Sequence, residues 1–211
     1  MSIIKKLSSS LQRSDEIPNQ ELAIEIIKKN DSDAVKELVD NIFNKDNAIQ
    51  NDCIKVLYEI GERGKPELIA QYVGTFIALL SSKNNRMVWG AMTALGTVAK
   101  LKASEIWNQI DEVIDANEKG SVITQDWGIR VLATVSASNR VYEKKLYPYL
   151  LNFLKKCISR DVPKHAESIF ATVNGANKEE FIAVLKERQK QLTPSQMTRI
   201  RKLFRKLEEV D

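Results

Sequence analysis

Met87-Val88-Trp89-Gly90-Ala91-Met92-Thr93-Ala94-Leu95-Gly96-Thr97-Val98 decides the fold, because its pattern recurs along the chain. The same register fits Asp52-Cys53-Ile54-Lys55-Val56-Leu57-Tyr58-Glu59-Ile60, Trp127-Gly128-Ile129-Arg130-Val131-Leu132-Ala133-Thr134-Val135 and His165-Ala166-Glu167-Ser168-Ile169-Phe170-Ala171-Thr172-Val173. Three columns align. Cys53, Ala91, Gly128 and Ala166 are small; Leu57, Leu95, Leu132 and Phe170 are large and apolar; Ile60, Val98, Val135 and Val173 are β-branched. Equivalent positions lie 38, 37 and 38 residues apart. Positions i, i+4 and i+7 share one face of a helix, so each segment carries a small–large–medium stripe. The small residue admits a neighbouring helix at close range, and the large ones fill the layer between repeats. Three columns at near-constant spacing mark an internal repeat.

Working outward, each stripe is followed by a polar break and a second amphipathic helix, over about 68–82, 104–117, 143–159 and 178–191. Glu62-Arg63-Gly64-Lys65-Pro66 is a turn, since Gly and Pro stop one helix and start the next. Ser104 and Asn177 are expected as N-caps, their side-chain oxygens accepting from free amides of the following turn. An earlier, less regular pair spans 20–29 and 31–43, divided at Asn30-Asp31-Ser32. Thr193-Pro194-Ser195-Gln196 reads as a capping box with proline in the first turn, opening a helix to about Glu209. Residues 1–18 read as a leading arm or capping helix, 19–192 as the repeats, and 193–211 as a C-terminal capping helix of the same domain.

A two-helix unit repeating every 37–38 residues resembles HEAT and armadillo repeats. Met87 to Gly96 is similar to the family's V-R-x-x-A-x-x-A-L-G run, and Lys145-Leu146-Tyr147-Pro148-Tyr149-Leu150-Leu151-Asn152-Phe153-Leu154 resembles a second helix of that family. The resemblance covers about Gln20 to Leu192, although Gln50, Val88, Gln125 and Pro163 stand where the family has an arginine. It implies an all-α fold: a right-handed solenoid of about five helix pairs, closed by the amphipathic C-terminal helix. A repeat cannot bury both its faces alone, so one continuous domain is expected.

Composition agrees with this reading. A hydrophobic fraction of 43% beside 28% charged residues suits a folded core, and 8 Gly with 5 Pro favour long regular elements. The net charge of +4 is too mild to demand a polyanion. Cys53 and Cys157 lie far apart inside apolar patterns, which reads as two buried small hydrophobes and a reducing interior. Together with the single His165, read as an exposed or partly packed helix residue, they form no metal site, and no cofactor is expected. The N-terminus lacks the apolar core of a signal peptide and no run is long enough to span a membrane, so the expected location is cytoplasmic.

No phosphate loop, nucleophile elbow or paired-histidine helix occurs in the chain. The expected function is therefore a non-enzymatic scaffold that binds a protein partner, with Tyr72, Trp107, Tyr147 and Tyr149 as exposed aromatic anchors on the second helices. A second reading is nucleic-acid binding related to alkylpurine DNA glycosylases of HEAT-like fold. There Trp89 and Trp127 would stack, Asp126 would stabilise positive charge, and Arg199, Lys202, Arg205 and Lys206 would meet phosphate. Against it, Glu105, Asp111, Glu112, Asp115 and Glu118 make the region around 105–118 acidic. That acidic stretch and the basic C-terminus give the chain a polarity that would also suit self-association. On the last helix Met197, Ile200, Leu203, Phe204 and Leu207 share one apolar face, as a solenoid cap requires.

Overall fold

The computed structural model describes residues 2–210, and among them there is no β-strand. Twelve helices follow in order: α1 (Ile17–Lys29), α2 (Ser32–Asn41), α3 (Asn47–Glu62), α4 (Val73–Leu79), α5 (Asn85–Val98), α6 (Ala103–Trp107), α7 (Ile110–Lys119), α8 (Val122–Ser138), α9 (Arg140–Lys156), α10 (Val162–Ile169), α11 (Lys178–Arg188) and α12 (Pro194–Glu208). The chain divides into two compact units, Met1–Gly128 and Ile129–Asp211, with the division inside α8.

In the first unit α3 is the central element, packed against α1, α2 and α5, while α5 also packs against α4. The stripe explains why. Cys53, Leu57 and Ile60 on α3 and Ala91, Leu95 and Val98 on α5 are all fully buried. In the second unit α9 packs against α10 and α11, and α12 lies on α10. Gly128, Leu132, Val135 and Ala166 are buried as the columns require.

The fourth segment departs from its column: Phe170 and Val173 are only half-buried. α10 stops at Ile169, a 3-10 turn covers Phe170–Thr172, and Val173 is extended. The cause is Asn177, whose Nδ2 donates to Thr172 O at 3.1 Å while its Oδ1 accepts from Asn174 N at 2.8 Å, pulling the chain out of the helix. Asn177 does sit at the N-cap of α11, but its side chain is spent on that loop and caps nothing.

Other expected elements are also subdivided. The 68–82 segment begins as 3-10 turns at Pro66–Leu68 and Ala70–Tyr72 before α4. The 104–117 segment breaks at Asn108-Gln109 into α6 and α7, where asparagine favours local turns over the helical ladder. Ser104 lies inside α6 and Lys102 holds the N-cap without a side-chain bond. α1 starts at Ile17, three residues before the expected Gln20, with Pro18 in its first turn. At the break after it, Asn30 adopts the left-handed conformation at φ 51° and the Asp31 carboxylate accepts from Ala34 N at 2.9 Å. The leading arm contains a 3-10 turn at Ile3–Lys6, and Leu7 is fully buried.

His165 is buried, not exposed, with its ring edge-on to Phe153 at 5.0 Å. It neighbours the small-residue column, so the helix face that carries Ala166 draws it inward. Cys53 is buried and burial pushes its thiol up to about 12, whereas Cys157 is half-buried. Cys157 ends α9 at its C-cap, where the chain turns toward the surface.

The capping box at the start of α12 is complete. Thr193 Oγ1 accepts from Gln196 N at 3.4 Å, and Gln196 Oε1 accepts from Thr193 N at 2.8 Å. Thr193→Ala is expected to cost about 1 kcal/mol, readable as a lowered urea midpoint with unchanged slope. An unchanged midpoint would show that burial of Ile200, Leu203 and Leu207 alone holds the helix.

Candidate functional site

The face shared by α3 and α5 gathers a linked set of charged and aromatic side chains. On α3, Lys55, Glu59 and Arg63 follow one another at i, i+4 spacing and therefore line one stripe. Lys55 Nζ meets Glu59 Oε1 at 2.7 Å, and Arg63 Nε meets Glu59 Oε2 at 2.9 Å. The Lys55 ammonium lies 4.8 Å from the Tyr58 ring centroid. Tyr58 in turn tilts against Trp89 of α5, with centroids 5.7 Å apart. The Arg86 guanidinium stands 5.1 Å above the Trp89 ring. Glu16, at the N-cap of α1, closes the set: its carboxylate pairs with Lys55 at 3.0 Å and with Arg86.

Burial sharpens this electrostatics. The Lys55 side chain is 8% exposed and that of Glu59 is 11% exposed. Desolvation works against the Lys55 charge, but hydrogen bonds to Glu59, Tyr58 and Glu16 outweigh it and hold the ammonium above its ordinary range. Desolvation likewise opposes the Glu16 charge, and hydrogen bonds from Arg86 and Lys55 overcome it, keeping the carboxyl below its ordinary value. Burial raises the Tyr58 phenol. The Lys55 and Glu16 shifts thus both favour the charged forms, and that of Tyr58 the neutral one.

Next to this set, at the N-terminal ends of α3 and α5, a groove of about 560 Å³ is lined by Asn47, Gln50, Asn51, Lys83, Asn84 and Asn85. Asn84 caps α5, accepting from Arg86 N at 3.0 Å, and its Nδ2 donates to Asn51 Oδ1 at 2.9 Å. Amide side chains both donate and accept, which suits the backbone of an extended chain.

Tyr72, Trp107 and Tyr149 are half-buried, on a 3-10 turn, at the end of α6 and on α9. Tyr147 is 5% exposed, and its hydroxyl donates to Asn177 O at 2.8 Å. It is a core residue, not an exposed anchor, because it falls on the same α9 face as the buried Leu146 and Leu150. Trp127 is half-buried and its ring lies against Gly96 of α5, where any Cβ would collide with it. Trp89 packs on Tyr58 as described, and Asp126 is half-buried beside Trp127 on α8.

On α12, Arg199 Nη2 pairs with Glu167 Oε2 of α10 at 2.6 Å, and Lys206 Nζ lies 5.9 Å from the ring of Phe170 in the 3-10 turn after α10. Lys202 and Arg205 are exposed. Among the described residues no group of His, Cys, Asp and Glu is placed to hold a metal, and no helix is long and apolar enough to cross a membrane. None of Glu16, Lys55, Glu59 and Arg86 was expected as a site residue from the sequence. The 55-59-63 charge spacing was a usable signal, whereas the Glu16–Arg86 pair spans 70 residues.

Neither a protein-family model nor a curated protein matches the sequence. Solved structures do match in shape. A designed armadillo repeat protein in complex with the peptide (KR)4 is similar with a TM-score of 0.72 at 12% identity, over 96% of this chain and 97% of that one. A computationally designed armadillo repeat protein for modular peptide recognition gives 0.70 at 13%, over 99% and 98%. Kap121p bound to Pho4p gives 0.65 at 14%, over 95% of this chain and 22% of Kap121p. At these identities the likeness establishes the fold: an all-α repeat solenoid of the armadillo/HEAT kind.

Proposed function

We propose that this armadillo/HEAT-like solenoid is a non-enzymatic scaffold that binds a protein partner as an extended segment. One observation carries the reading: the α3–α5 face joins an amide-lined groove to a half-exposed tryptophan flanked by ion-paired charges. Amides match a peptide backbone, the ring anchors one side chain, and the charges select among sequences. The neighbours add support, since one is a designed armadillo protein in complex with a peptide and another is Kap121p bound to Pho4p. Tyr72 and Trp107 on the first unit and Tyr149 on the second are half-buried aromatics that serve as further candidate contacts.

The test is an array of defined synthetic peptides, followed by titration of any ligand against Trp89→Ala and Tyr149→Ala. An anchor of this kind contributes about 1–2 kcal/mol, so Trp89→Ala is expected to weaken binding by roughly tenfold. An array with no ligand sinks the scaffold reading.

A second reading, binding to nucleic acid, is favoured by charge. Residues 129–211 hold 17 Lys and Arg against 9 Asp and Glu, while residues 1–128 hold 15 against 19. Titration with a short duplex at several salt concentrations decides it. Affinity falling steeply with salt and weakened by Lys202→Ala with Arg205→Ala supports it; no binding at low salt removes it.

A further inference from the structure

The carboxylate of Glu16 sits where a ligand's carboxylate would sit. It does not come from either helix that builds the face. It is delivered by the segment between the leading 3-10 turn and α1, so the arm lays one acidic side chain across α3 and α5. Its own receptor residues are well organised. Lys55 is almost fully buried and fixed by Glu59, and Arg86 is held over the Trp89 ring. The Glu16 side chain is 40% exposed and makes no capping bond to α1, to which the residue is joined through its carbonyl, accepting from Gln20 N at 3.1 Å.

Between its anchors the segment that carries Glu16 is held by bonds within the arm: Leu11 N donates to Leu7 O at 3.0 Å, Gln12 N to Ser9 O at 3.0 Å and Arg13 N to Ser8 O at 2.9 Å. Upstream of Glu16, Ser9 N donates to Asp52 Oδ2 at 2.7 Å, and downstream Asn19 Nδ2 of α1 donates to Asp52 Oδ1 at 2.7 Å, which ties both flanks to α3. Between them residues 10–14 are all exposed, and Gln12 adopts φ 56°, a left-handed conformation that a glutamine rarely takes. The Arg13 guanidinium pairs with the Asp15 carboxylate at 2.9 Å, and that carboxylate also accepts from Ile17 N at 3.0 Å, so both charges are spent within the segment. Glu16 could therefore leave while the arm's anchors stay. Its departure would leave Lys55, Arg63 and Arg86 facing the single carboxylate of Glu59, beside an aromatic ring. That is a net positive pocket with a desolvated lysine, which binds a carboxylate more strongly than exposed charges do.

We propose that Lys55, Arg86 and Trp89 form a recognition site for an acidic side chain, Asp or Glu, of a partner peptide, and that Glu16 occupies this site in cis until the partner displaces it. The proposal rests on the scaffold reading above and names the partner chemistry of that face. The arm is thus a built-in competitor: the apparent affinity for an acidic peptide is reduced by the fraction of molecules in which Glu16 is seated.

The experiment uses the full chain and a fluorescein-labelled peptide of alternating Glu and Ser, with a Lys–Ser peptide of equal length as control. If Glu16 is seated in about nine molecules of ten, Glu16→Gln is expected to tighten binding of the acidic peptide roughly tenfold. Adding Arg86→Ala to Glu16→Gln is expected to remove that gain, and salt to weaken binding in every variant that shows it. Glu16→Asp keeps the charge but shortens the reach, and a gain of about threefold is expected from it. It serves as the reading should Glu16→Gln melt before binding is measured. Equal affinity for the parent and both Glu16 variants overturns the proposal. So does a gain that survives Arg86→Ala. Array peptides that bind equally with and without Glu16 would leave the scaffold reading standing while removing this one.

Discussion

Arg188→Met is expected to lower stability by about 4 kcal/mol and the melting temperature by roughly 10 °C. Arg188 is the last residue of α11 and is 4% exposed, yet no acidic group faces it in an ion pair among the described residues. Its partners are main-chain carbonyls. Nη1 donates to Leu154 O at 3.0 Å and to Lys155 O, and Nη2 donates to Cys157 O at 2.6 Å. These carbonyls lie in or just past the last turn of α9, where the helix has no amides left to satisfy them. The guanidinium also lies at the negative end of the α9 dipole, so one side chain caps the helix and neutralises its end. Methionine fills similar volume but donates nothing, which strands partly buried carbonyls. Arg188→Lys keeps the charge and loses the fork, so it should recover only part of the loss. A melt unchanged within about 1 kcal/mol for Arg188→Met would mean that water replaces the guanidinium without penalty.

Gly96→Leu is expected to cost at least about 3 kcal/mol, and Gly96→Ala about 1–2 kcal/mol. Helix propensity taken alone gives the opposite sign, since alanine exceeds glycine in a helix interior by about 1 kcal/mol. Packing decides. Gly96 is buried in the last turn of α5, and a Cβ built there would overlap the Trp127 ring, with Cζ3 only 2.8 Å away. An indole edge held in a packed layer has nowhere to retreat. Combining Gly96→Ala with Trp127→Leu should restore part of the loss, giving a coupling of about 1 kcal/mol or more in a double-mutant cycle. Additive single and double variants would show that ring and glycine do not share the same space. A stabilised Gly96→Ala would show it more directly.

The helices themselves were readable because their causes are local. The small–large–medium stripe is a consequence of 3.6 residues per turn, so Leu57, Leu95 and Leu132 announced buried rows before any neighbour was known. Thr193 and Gln196 carried their cap within four residues. The same locality explains the failures. Phe170 fits its column, but Asn177 unwinds the chain before it, through a bond formed only when the loop closes. Tyr147 and Tyr149 look alike in sequence, and two residues along a helix turn the ring by about 200°, so one enters the core and the other does not.

Of the candidate site, only Trp89 was singled out in the sequence, while the 55-59-63 charge spacing was there to be read and was passed over. The sequence could not supply the meeting of Glu16 with Arg86, which come together only because α1 and α5 both pack on α3. By itself, then, the sequence determined an all-α chain of repeated helix pairs and the positions that must be buried, because periodicity and capping act within one or two turns. The tertiary structure alone decided which charges face one another, which tryptophan a glycine admits, and which carboxylate covers the Lys55–Arg86 pair. Those are set by close approach between helices, and residue spacing along one helix carries no information about the side chains of the next.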